Sequence, residues 1–85
     1  MIVQLGNLFI NTENVVTISS YGIQDTEETD LGIVINGIKY NVYKVKNDNK
    51  ELLEANQAKI NGIINTIVNI LAAPVSRLKL EEDNG

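Results

Sequence analysis

Four carboxylates fall within six residues, at Asp25, Glu27, Glu28 and Asp30, and a second polar set, Lys39, Tyr43 and Lys44, follows on the next apolar run. Clustered carboxylates hold a divalent cation only where a loop wraps them. An EF-hand loop needs its Gly and its terminal Glu at fixed positions, and this spacing supplies neither. The cluster therefore reads as a solvated acidic hairpin tip, whose functional form is an electrostatic contact with a basic protein partner. The lysine and tyrosine set reads as a ligand surface for a small anion such as a nucleotide. No Gly-rich phosphate loop or Arg fork accompanies it. The chain of 85 residues has no His and no Cys. That removes the usual general base, the thiolate nucleophile, the common zinc ligands and any disulfide. The expectation is a protein without enzyme activity, metal or cofactor.

Charge narrows the partners. The formal net charge is −4, with seven basic residues against eleven acidic ones. Residues 1–38 hold no Lys or Arg and carry −5, residues 39–59 carry +2, and the remainder carries −1. Phosphate neutralisation supplies most nucleic-acid affinity, so direct binding to DNA or RNA is not expected. The start, MIVQLGN, has no basic region and no long apolar core, and no stretch of about 18 apolar residues occurs. These features predict a cytoplasmic protein without a membrane partner. Asn and Ile number twelve each against four Ala, the composition of a low-GC genome.

The polar sets must be positioned by a sheet and a helix. Gly6-Asn7 is a two-residue hairpin candidate, and Asn36-Gly37, whose two positions both tolerate positive φ, predicts a type I′ turn. They predict hairpins joining Ile2–Leu5 to Leu8–Ile10 and Leu31–Ile35 to Ile38–Val45. Asn11–Asn14 reads as a turn and Val15–Tyr21 as a strand. In the second hairpin Ile38, Tyr40 and Val42 alternate with Lys39 and Asn41, which places Tyr43 on the outer face with the lysine. Past Lys46 the apolar spacing switches to four and three, at Ile60, Ile64, Ile67 and Leu71. Asn47-Asp48-Asn49 offers several N-cap candidates, of which Asp48 has capping-box spacing to Glu51, and Pro74 predicts the helix end. Asn61-Gly62 is the point where that helix could break in two. The predicted fold is α+β: an antiparallel sheet of hairpins and one long C-terminal helix, a single domain over 1–74. A tail over 75–85 either adds a strand to a sheet edge or is disordered.

Between Ile60 and Ser76 the chain has no charge, although 21% of all residues are charged. On a helical wheel Ile60, Ile63, Ile64, Ile67, Val68, Ile70 and Leu71 form an apolar arc suited to packing on the sheet. The opposite side collects Gly62, Asn65, Thr66, Asn69, Ala72 and Ala73. These small uncharged residues allow close approach of a second helix, and Asn can hydrogen-bond across such a seam and set its register. So small a core without disulfide or metal gains most readily from oligomerisation. The alternative is a monomer whose outer face is Asn-rich by composition alone.

Short length, Ile/Asn richness, acidity, absence of His and Cys, and hairpins followed by one helix together resemble the small accessory proteins of phages and mobile elements in low-GC bacteria. Inhibitors of host defence systems are among these. The run Leu8–Val16 is similar to the strand–turn–strand start of small flagellar FlbD-type proteins, over about a tenth of the chain. Neither resemblance carries a functional residue onto this sequence. The first implies a binding protein, and with the uncharged helix face the reading is a non-catalytic homo-oligomer, joined through its C-terminal helix, that binds a protein partner as an inhibitor of a host system. The alternatives are an assembly component of a larger particle and an oligomer that binds a small anion.

Overall fold

The structure, a computed structural model, describes the backbone of residues 1–84 and the side chains of residues 1–72. Strands β1 (Ile2–Leu5) and β2 (Leu8–Asn11) form an antiparallel pair, with Gly6 at φ 59° in the turn. A single 3-10 turn, Thr12–Asn14, follows. The Asn11 side chain caps it by accepting from the Glu13 N–H at 3.2 Å. Buried Thr12 anchors this corner: its N–H and hydroxyl both donate to the Met1 carbonyl, at 2.9 and 3.1 Å. Strands β3 (Ile18–Gln24), β4 (Glu28–Ile35) and β5 (Ile38–Lys46) make a second antiparallel sheet in that order. One helix, α1 (Lys50–Asn84), completes the α+β architecture.

The Asn36-Gly37 turn forms as predicted, with φ of 52° and 83°. Asn36 does more than bend the chain. Its side-chain oxygen accepts from Val16 and Thr17 N–H at 2.7 and 3.1 Å, and its amide donates to the Asn14 carbonyl at 2.8 Å. The link before β3 is thereby tied to the β4–β5 turn. This use of the backbone moves β3 to Ile18–Gln24, three residues beyond the predicted Val15–Tyr21, and leaves Val16 exposed.

Leu31, Ile33 and Val45 of the second sheet, Leu5 and Ile10 of the first hairpin, Val15, and Ile60 and Ile67 of α1 form one buried core. Fully burying each Ile of the helix contributes about 1.5–3 kcal/mol of transfer free energy. One long helix forms as expected, continuous through Asn61-Gly62, and differs from expectation in three ways. Asn49, not Asp48, is the N-cap: its side chain accepts from Leu52 N–H at 3.1 Å and its carbonyl from Leu53 N–H at 3.1 Å. Pro74 falls within its span rather than at its end. Val68, expected in the apolar arc, is 45% exposed. The core face instead includes buried Asn56, one turn before Ile60. Side chains of the 75–85 tail lie outside the described residues.

Candidate functional site

The acidic cluster and the lysines, far apart in the sequence reading, are neighbours in the sheet. Antiparallel register sets Glu28 opposite Lys46 and Asp30 opposite Lys44. Opposite charges directly across a sheet favour the register, and at exposed or half-buried positions such as these the gain is at most about 1 kcal/mol a pair. Asp25 is committed to its own turn, where its carboxylate accepts from the N–H groups of Glu27 and Glu28, each at 2.8 Å. The bond from Glu28, then that from Glu27, hold its pKa below the ordinary 3.8. Asn47 ties the turn to the start of α1: its amide donates to the Asp25 carbonyl at 2.7 Å and its N–H to that of Glu27 at 3.0 Å. The Thr29 hydroxyl donates to Asn47 Oδ1 at 2.6 Å. Of the four carboxylates, only Glu27 has neither a cross-strand lysine nor a capping role.

The second polar set is split. The register slips between Leu31 and Gly32, so that Leu31 faces Tyr43 and Gly32 faces Asn41, with Val42 as the extra residue. Such a bulge shifts the alternation by one. Tyr43 therefore packs against the core beside Leu31, while Lys39 and Lys44 stay on the outer face. This corrects the placement of Tyr43 beside Lys39. Tyr21 of β3 takes that place, with the Lys39 ammonium 5.6 Å from its ring centre. Tyr21 also lies across from Gly32, where a Cβ would collide with the Tyr40 carbonyl and the Tyr21 ring. A strand glycine opposite an aromatic is a signal that sequence reasoning passed over.

On α1, Gly62, Asn65, Thr66, Asn69 and Ala72 are all exposed; the Ala73 side chain lies outside the described residues. A Cβ at Gly62 would meet nothing within 4 Å, and the Thr66 hydroxyl donates to the Gly62 carbonyl at 2.9 Å. This run carries no charge.

A further surface escaped the sequence reading. Between β3 and α1 lies a groove of about 250 Å³, lined by Ser20, Tyr21, Gly22, Leu31, Gln57, Ile60 and Asn61. None of these is charged. Among the described residues no three His, Cys, Asp or Glu side chains are grouped to hold a metal, and no helix is long and apolar enough to cross a membrane. Comparison with protein-family models, curated proteins and solved structures gives no match.

Proposed function

We propose that the chain is a non-catalytic binding protein that self-associates through the outer face of α1 and, so assembled, engages another protein. The observation that carries this reading is the exposed run Gly62, Asn65, Thr66, Asn69 and Ala72, on a helix face without charge. A solvated helix face normally carries Lys or Glu, whereas close helix contact needs small residues. Exposed Val68, next to Asn65 and Ala72 on the helix surface, adds apolar area to the same seam. Action as an inhibitor of a host system belongs to the same reading. Binding of a small anion has less to rest on, because Lys39 and Tyr43 lie on opposite faces of the sheet.

The test is mass in solution. Light scattering on the unmodified chain at tens of micromolar is expected to give a closed oligomer. Asn65→Lys combined with Asn69→Glu should shift it toward monomer with its circular dichroism unchanged. A monomeric unmodified chain would overturn the proposal.

A further inference from the structure

The outer edge of β3 is open. Among the described residues no strand pairs with it, and the hydrogen-bond pattern says which groups it presents. At one end Asn36 N–H donates to the Thr17 carbonyl, and at the other Asp25 N–H donates to the Glu28 carbonyl, both at 2.9 Å. In an antiparallel ladder the bonded pairs alternate, so Ser19, Tyr21 and Ile23 turn their N–H and C=O toward β4. Ile18, Ser20, Gly22 and Gln24 turn theirs outward.

Three features make this edge a receptor. It carries no Lys, Pro or bulge, the devices that keep edge strands from pairing. It borders the groove lined by Ser20, Tyr21, Gly22 and the amides of Gln57 and Asn61, with Leu31 and Ile60 buried beneath. Gly22 leaves its part of the groove lining without a side chain. We infer that the β3 edge and the β3–α1 groove take an extended, uncharged segment of a partner polypeptide, added as a fourth strand with a small or amide side chain facing Ser20, Gln57 and Asn61.

The occupant follows from geometry. Strands sit about 4.8 Å apart, whereas a helix with its side chains is about 10 Å wide. Gln57, Ile60 and Asn61 bring α1 close over β3. A second copy docking edge to edge would bring its own α1 onto the same space. A lone extended strand brings only alternating side chains, and its backbone matches the free groups of β3. Uncharged walls disfavour Lys, Arg, Asp or Glu on the inward side of the segment.

The inference rests on the reading of the chain as a binding protein, but it is tested separately from association. The probe is a displayed library of random heptapeptides panned on the full chain, with the selected peptide then made synthetically. Selected peptides should be uncharged, with small or amide side chains at the alternate positions that face α1. On binding, NMR should show the amides of Ser20, Gly22 and Gln24 gaining exchange protection, with those of Ser19, Tyr21 and Ile23 already protected. Ser20→Pro removes an outward N–H and spares the β3–β4 ladder. It should weaken binding by about tenfold or more, as loss of a hydrogen bond and a ring against the incoming strand imply. Gly22→Val, which fills the groove while keeping a strand-forming residue, should weaken it likewise if Ser20→Pro proves unfolded by circular dichroism.

No enrichment of any peptide, or perturbation confined to another surface, would overturn the inference. So would outward amides of Ser20, Gly22 and Gln24 already protected in the unliganded chain and exposed on dilution, since a second copy would then occupy the edge. A monomer that binds peptide removes the proposed association and leaves this inference standing. An oligomer that binds none does the reverse.

Discussion

Strands β5 and β3 flank the same central strand, yet β5 carries Lys39, Lys44, Lys46 and a bulge at Val42, while β3 runs Ile18–Gln24 without charge, proline or bulge. Lysines and bulges discourage pairing with other chains, so β5 is a protected edge and β3 an available one. The lysines of β5 have a second role opposite Glu28 and Asp30. The difference teaches that Glu28 and Asp30 are set opposite Lys46 and Lys44 within the sheet, and that the unguarded edge is the uncharged one.

The largest expected effect contrasts two glycines on either side of that division. Gly32→Ala should destabilise by about 3 kcal/mol, because the new methyl is forced against the Tyr40 backbone and the Tyr21 ring. Gly22→Ala on the open edge meets only Leu31 Cδ2 at 3.4 Å and should change stability by less than about 1 kcal/mol. Chemical denaturation measures both, and equal effects would remove the distinction.

Next comes the tie between β3 and the β4–β5 turn. Asn36→Gly keeps the positive φ but loses bonds to Val16, Thr17 and Asn14, and should cost about 2 kcal/mol. Gly37→Val, where φ is 83°, should cost about 1 kcal/mol or more through strain on a β-branched residue. An unchanged melting temperature in the first variant would mean that Asn36 only shapes its turn.

A smaller change in stability, under about 1 kcal/mol, is expected when Lys44 and Lys46 are both replaced by Thr. The informative readout is solubility, which should fall as β5 loses its protection. If solubility holds, the bulge alone guards that edge.

The smallest effect is the titration of Asp25. Its folded pKa is lowered, so its stabilising contribution is complete above the ordinary 3.8 and is lost as pH falls through the lowered value. Asp25→Asn should flatten stability against pH in that acidic range. Because the carboxylate is exposed, the change is modest, and an identical pH profile in the variant would show that the turn does not depend on its charge.

Both hairpin turns were legible because Gly6-Asn7 and Asn36-Gly37 encode their φ locally, and α1 was legible because its apolar spacing is local too. The strand β3 was displaced because Asn36, twenty residues away, captures the N–H of Val16. The Asp48 cap was misplaced because Asn47, Asp48 and Asn49 all suit an N-cap, and Asn47 is drawn instead to Asp25 and Thr29. Exposure of the outer face of α1 was readable as a run of small and amide side chains. The groove beside β3 was not, since Ser20, Gly22, Gln57 and Asn61 carry no periodic signal and meet only when the helix crosses the strand.

By itself the sequence determined the α+β order, the two tight turns, the uncharged helix face and the absence of His and Cys chemistry, because each depends on residue type and near-neighbour spacing. Only the tertiary structure decided which charges face one another, which way Tyr43 points and which sheet edge stays open. Those depend on register across strands, and one extra residue at Val42 is enough to turn every side chain beyond it to the other face.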